Sequence, residues 1–180
     1  MRYKPLPPLE ELRENIDYNP NTGILIWKKT PFRNLEGKTV GRDNGVGYLQ
    51  TRYKKKFYLC SRLAYYIYHG VDPLQKQVDH INRNRLDNRI KNLRLATPSQ
   101  NIINASLNKN NTSGFKGVHW NKREKRWLAR IKVNGESKHL GSFINKEDAI
   151  QARSEGEIKY FGEFARKECN ETIRLQEETE

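Results

Sequence analysis

The feature that most restricts how this chain can fold is a polar break just past its middle. Residues 104–113, rich in Asn, Ser, Thr and Lys, carry little to bury and read as a linker. A chain of 180 residues divided there builds two modest cores rather than one large one. The predicted organisation is residues 1–105, a linker over 106–112, a second unit over 113–165, and a tail over 166–180 whose acidic end is expected to fray.

Charge narrows the choice of partner. The 34 Lys and Arg outnumber the 21 Asp and Glu, for a formal charge of +13. That balance calls for a polyanion, with nucleic acid ahead of an anionic membrane surface. No run approaches the roughly 18 apolar residues of a spanning helix, and no N-terminal apolar run resembles a signal peptide. A cytoplasmic protein without a membrane partner is expected. Cys60 and Cys169 form no CxxC pair, so both read as free thiols rather than zinc ligands or a disulfide.

In the first half, Leu9, Leu12 and Ile16 recur at helical spacing before the turn cluster Asp17-Tyr18-Asn19-Pro20-Asn21-Thr22-Gly23. Strands are expected at Ile24-Leu25-Ile26-Trp27, at residues 48–53 and at residues 56–59, the last two forming a hairpin with a basic Lys54-Lys55 tip. That tip is a candidate for phosphate contacts. Residues 63–68 read as a short buried helix closed by Gly70.

From residue 77 the pattern becomes strand, polar loop, strand, helix. Gln77-Val78-Asp79-His80-Ile81 is the first strand, residues 82–91 the loop, and Leu93 with Leu95 mark the second strand. Thr97 is a good N-cap and Pro98 suits the first helical position, so Asn101 falls in the first turn or so of the helix. Phosphodiester hydrolysis needs a base for water, charge relief on the phosphate and support for the leaving oxygen, and such a unit can supply all three. Asp79 and His80 are neighbours on a strand and would point to opposite faces, so a strand end or bulge is required if both are to flank one phosphate.

The series Val78-Asp79-His80-Ile81-Asn82, Leu86-Asp87-Asn88-Arg89, Asn92-Leu93-Arg94 and Thr97-Pro98-Ser99-Gln100-Asn101 resembles the HNH (His-Me finger) nucleases of phage homing endonucleases. The resemblance covers residue 17 to about residue 105. It implies a ββα-metal fold in which His80 is the general base, Asn92 orients it, and Asp79 with Asn101 holds one divalent ion, Mg2+ by the hardness of its oxygen donors. Asn101 makes this an H-N-N variant. Asn82, Asn88 and Asn104 are runners-up for the orienting and ligand roles. The cysteine count excludes the relatives stapled by a four-cysteine zinc site, and Ser61 stands before Arg62-Leu63 where relatives commonly carry His. Arg83, Arg85, Arg89 and Arg94 surround the loop and are expected to include phosphate contacts.

In the second half, three β-like runs occupy residues 115–120, 127–133 and 137–143, with Asn134-Gly135 a strong hairpin signal. Asn145 and Asp148 precede a helix to about Tyr160. Alternation turns Trp127, Ala129, Ile131 and Val133 toward that helix and Leu128, Arg130 and Lys132 away from it. Ala149, Ala152 and Gly156 would let the helix lie close. Together with Ser113-Gly114-Phe115-Lys116-Gly117-Val118, His139-Leu140-Gly141-Ser142-Phe143 and Tyr160-Phe161-Gly162-Glu163-Phe164-Ala165, this stretch is similar to the ethylene-response-factor (APETALA) DNA-binding domain. The similarity implies that the sheet enters a major groove and places Lys116, His119, Arg130, Lys132 and His139 on the DNA side.

The expected fold class is therefore α+β: a ββα-metal nuclease domain plus a three-stranded antiparallel sheet packed on one helix. The expected function is a metal-dependent endonuclease acting on double-stranded DNA as a monomer or weak dimer. A non-catalytic DNA-binding regulator is the alternative, and an RNA-binding protein a third reading, because basic sheets also suit RNA.

Overall fold

A computed structural model describes residues 5–28, 33–105, 107 and 110–166. Helices and sheets are mixed throughout, and the chain divides into two compact units, Met1–Pro98 and Ser99–Glu180. Cys169, the acidic tail and part of the expected linker lie outside the described residues.

In the first unit, α1 (Leu9–Asn15) buries Leu12 and runs directly into β1 (Ile16–Tyr18), which pairs antiparallel with β2 (Leu25–Trp27). The turn between them is built by Asn19, whose side-chain oxygen accepts from the backbone N–H groups of Asn21 and Thr22. A second sheet follows in the order β3 (Arg42–Asp43), β4 (Leu49–Tyr53), β5 (Lys56–Leu59). Its β4–β5 turn is Lys54-Lys55, both at positive φ (44° and 64°), the geometry that matches the twist of paired strands. Lysine is an uncommon occupant there, and Lys54 gains a partner in Glu11 at 2.8 Å, which draws it from the phosphate role expected of the tip.

The helix α2 (Cys60–His69) starts three residues earlier than its apolar run suggested, directly from the end of β5, and Gly70 at φ 71° closes it. Its buried face of Cys60, Leu63, Ala64 and Ile67 meets Leu12, Ile16, Leu25, Trp27, Tyr53 and Leu93 in one core. Trp27 stacks on Tyr53 with ring centroids 6.1 Å apart. Beside this core lie β6 (Gln77–His80) and β7 (Leu93–Ala96), an antiparallel pair joined by the polar loop and a 3-10 turn at Ile90–Asn92. As expected, Cys60 is a free thiol, and burial pushes it up to about 12, so it is inert at neutral pH.

The helix α3 (Pro98–Asn104) spans the division between the units, all but its first residue falling in the second. In that second unit, β8 (Val118–Asn121), β9 (Arg126–Val133) and β10 (Glu136–Phe143) form one antiparallel sheet with β9 central. Asn134 and Gly135 take the expected hairpin turn at φ 50° and 90°. Against β9 and β10 lies α4 (Lys146–Phe161), burying Val118, Ala129 and Ala149 with Trp127, Leu140 and Phe143 around them. Close approach is real at Gly156, where a Cβ would stand 2.8 Å from Leu140 Cδ1. Asn145 precedes this helix without capping a backbone N–H; its amide bonds the Asp148 carboxylate instead, at 3.3 Å. No helix among the described residues is long and apolar enough to cross a membrane.

Candidate active site

His80 is the last residue of β6, and the chain turns immediately after it, with the Arg83 N–H donating to the His80 carbonyl at 2.9 Å. The strand therefore ends where the sequence required an end or a bulge. Asp79 pairs with Arg94 across the strands, and His80 pairs with Leu93. Both acid and imidazole are buried, at 6% and 3% exposure.

The orienting contact differs from the expected one. His80 Nε2 meets the side-chain oxygen of Asn88 at 3.1 Å. An amide oxygen can only accept, so Nε2 carries the ring proton and the basic lone pair belongs to Nδ1. Asn92 is occupied elsewhere: its Oδ1 accepts from the Asn82 N–H at 2.9 Å and its Nδ2 donates to the Asp87 carbonyl at 2.8 Å. Asn92 thus staples the two ends of the loop, and Asn88, a runner-up in the sequence, is the residue on the imidazole. Burial is the main reason the His80 pKa lies below its ordinary value, outweighing the opposing Asn88 bond and the charges of Asp79 and Asp87; Arg85 adds to the lowering. The ring is consequently neutral at neutral pH, the form that can take a proton.

The loop carrying Asn88 is held by its own side chains. Asn82 Oδ1 accepts from the Asn84 N–H, Asn84 Oδ1 from the Leu86 N–H, and Asn82 Nδ2 donates to Asp87. Arg89 forks onto the Asp87 carboxylate, with Nε to Oδ1 at 2.7 Å, and these bonds hold Asp87 down to about 2. Above the site, the Tyr48 ring lies 6.1 Å from the His80 ring, and Arg85 sits 4.7 Å from the Tyr48 centroid.

Two of the four arginines around the loop are therefore not set out as phosphate contacts. Arg94 turns inward, Nε to Asp79 Oδ2 at 2.9 Å with its side chain only 14% exposed, and Arg89 serves Asp87. Arg85 is exposed and Arg83 half-buried. Asn101 lies half-buried on α3, in the second unit. Asp79 offers a carboxylate oxygen and Asn101 an amide oxygen, each a donor of the hard class that Mg2+ takes. One Asp79 oxygen is shared with Arg94.

On the C-terminal sheet, His119, Arg130, Lys132 and His139 are exposed, Arg130 directly opposite His139 in the register. His139 Nε2 lies 3.2 Å from the Ser142 hydroxyl. Leu128, expected on the same face, is buried at 4%. Lys116 departs from its expected role. Its ammonium donates to the carbonyls of Ile102 and Ile103 at 2.7 and 3.2 Å, capping the C-terminal end of α3. Burial lowers Lys116 to about 8, which leaves it charged at neutral pH.

A family model described as HNH endonuclease matches residues 58–102, the segment that holds the His80 strand, its loop and the start of α3. Protein 3.8 of Escherichia phage T7 is 34% identical over 91 residues, which are 49% of this chain and 75% of that protein. The chain belongs to the HNH endonuclease family. An uncharacterized HNH endonuclease of Acanthamoeba polyphaga mimivirus is 38% identical over 99 residues, 55% of this chain and 50% of that one. A Bacillus subtilis (strain 168) protein named as an SPbeta prophage-derived HNH homing endonuclease is 30% identical over 100 residues, covering 52% of this chain and 57% of the relative. This HNH endonuclease thus spans about half the length of those two relatives, and no solved structure matches it.

Proposed function

We propose that this HNH endonuclease hydrolyses phosphodiester bonds of double-stranded DNA with the help of one divalent ion, and that it serves as a homing endonuclease. The observation that carries the reading is the bond from His80 Nε2 to Asn88 Oδ1, which leaves Nδ1 as the basic nitrogen of a neutral imidazole. In the reaction, Nδ1 takes a proton from water as the water oxygen bonds to phosphorus. The bond from phosphorus to the leaving sugar oxygen breaks, and that oxygen is protonated from solvent. A Mg2+ held by Asp79 and Asn101 would supply charge relief on the phosphate and the leaving oxygen. Asn92 keeps the loop closed around the base, and Arg83 and Arg85 are the loop cations assigned to the DNA backbone.

In this reading β6, β7 and α3 constitute the ββα-metal unit within a nuclease domain of residues 1–105. Residues 106–112 link it to an ethylene-response-factor-like domain over 113–165. There His119, Arg130, Lys132 and His139 face the major groove, supported by their exposure on the sheet that α4 packs against. The homing role is suggested by the prophage-derived relative, which is named a homing endonuclease. One His80 per chain favours nicking by a monomer.

A second reading has an observation of its own. His80 at 3% exposure and Asp79 bound to Arg94 also suit a structural pair in a DNA-binding regulator that does not cut. Supercoiled plasmid incubated with the protein, with Mg2+ or with EDTA, separates the two. Nicked or linear product in Mg2+ alone is the expected result. Tight DNA binding without cutting in any divalent metal, across plasmids carrying candidate targets, would favour the regulator.

A further inference from the structure

Asn88 is the residue on the imidazole, so whatever fixes Asn88 also fixes the base. Its amide is weakly constrained by side-chain bonding, because Oδ1 meets His80 while Nδ2 is buried with no hydrogen-bond partner. Turning that amide over would present a donor to the protonated Nε2. The ring N–H selects the amide oxygen, and how near that oxygen stands to the ring depends on where the Asn88 backbone is held.

It is held from outside the HNH segment, by the turn of the N-terminal strand pair. The Tyr18 hydroxyl donates to the Asn88 carbonyl at 2.7 Å, and the Ile90 N–H donates to the Pro20 carbonyl at 3.0 Å. Gly23 closes the contact sterically. A Cβ there would stand 2.6 Å from the Asn88 carbonyl carbon and would also overlap the Arg89 nitrogen, and φ at Gly23 is +78°. Both obstacles are backbone, which cannot swing aside as a side chain can. The turn is itself stiff: Gly23 donates to the Asn19 carbonyl, Asn19 to that of Ile24, and Ile16, Leu25 and Trp27 anchor its strands in the core. These residues precede the 58–102 segment that matches the family model.

We propose that the turn at residues 18–23 is a positioning element for hydrolysis, in which Tyr18 and Gly23 set Asn88 and thereby the tautomer and direction of His80. This rests on the reading of His80 as the base. Gly23→Ala displaces the Asn88 backbone, and Tyr18→Phe removes one tether without changing volume. Misplacement of a reacting group by about 1 Å can cost on the order of 100-fold in rate. The whole 180-residue chain carrying Gly23→Ala should lose about that much in kcat with KM for DNA within about twofold, and Tyr18→Phe should lose less in the same direction.

Two further measurements separate positioning from general weakening and from failure of the base assignment. Leu12→Val, which thins the core without touching Asn88, should lower Tm and leave kcat unchanged below the melting range. Imidazole 15N shifts should show wild-type His80 protonated on Nε2 alone and both variants as mixed tautomers. Wild-type kcat and a single Nε2–H tautomer in Tyr18→Phe and Gly23→Ala would overturn the proposal. If His80→Ala still cuts DNA, the base assignment has failed, whereas the nitrogen shifts still decide whether the turn orients the ring. Should Gly23→Ala not fold, Tyr18→Phe carries both readouts.

Discussion

The His80 loop and the outer face of the C-terminal sheet are both rich in polar and cationic side chains, yet they treat them in opposite ways. In the loop, Asn82, Asn84, Asp87, Asn88 and Arg89 bond to one another, to the backbone or to His80, and the imidazole sits at 3% exposure. On the sheet, His119, Arg130 and Lys132 stand exposed above strands that hold themselves by their own ladders. Groups that act on a reacting atom are pre-ordered by bonds made within the protein. Groups that would meet a phosphate or a base edge are left to water until the partner arrives.

That contrast breaks first at Asn88. Asn88→Ala removes the Asn88 oxygen from the buried His80 N–H, a penalty of about 1–3 kcal/mol in stability, and loosens the ring's orientation. We expect kcat to fall on the order of 100-fold with DNA affinity nearly unchanged, measured by single-turnover cleavage and by binding titration. A loss of affinity with normal kcat would reverse the assignment of the two regions.

The opposite pattern is expected on the sheet. Arg130→Ala with Lys132→Ala should leave the single-turnover rate at saturating protein unchanged and weaken binding. If both cations neutralise phosphates, the slope of log K against log salt should fall by roughly two, at about 0.9 per phosphate. Base-edge contacts would instead show as relaxed site preference at constant slope.

Acid stability sharpens the picture of the loop. Asp87 is held down to about 2 from an ordinary 3.8, chiefly by the Arg89 side chain. Its folded-state pKa is depressed, so its stabilising contribution is complete above about pH 4 and is lost as pH falls toward 2. Asp87→Asn should flatten the melting temperature against pH in that window, read by thermal denaturation, and an unchanged slope would remove Asp87 from the loop's support.

The smallest effect concerns Lys116. If its ammonium serves the α3 carbonyls, Lys116→Met should lower Tm by a few degrees and leave the salt slope of DNA binding where it was. A slope reduced by about one would return Lys116 to the DNA surface.

Much of this architecture is legible in the amino-acid sequence. The 3.6-residue spacing of Leu9 and Leu12, the β alternation around Trp127 and the Asn134-Gly135 turn all depend on local rules, and α1, β9 and the β9–β10 hairpin lie where those rules put them, except that Leu128, which alternation turned outward, is buried. Asp79 and His80 were legible as strand residues, but the expected strand ran to Ile81, and its end at His80 was a demand of the chemistry that no local rule supplied. Partners were harder. Asn88 and Asn92 are chemically identical and four residues apart, and only the folded chain shows that Asn88 reaches the ring while Asn92 bonds the Asn82 N–H and the Asp87 carbonyl. Arg94 and Lys116 read as surface cations because nothing local shows that one lies across from Asp79 and the other beside the end of α3. Tyr18 and Gly23 left a faint signal, a glycine and a tyrosine in a turn cluster, which spoke only of a turn.

The central claim is that His80 is the base of a DNA nuclease, and single-turnover cleavage by His80→Ala in Mg2+ tests it most directly, with DNA affinity measured on the same preparation. We predict a rate reduced by about 100- to 10,000-fold, the usual worth of a general base, with affinity within a few-fold of wild type. Cleavage by His80→Ala at the wild-type rate would contradict the account.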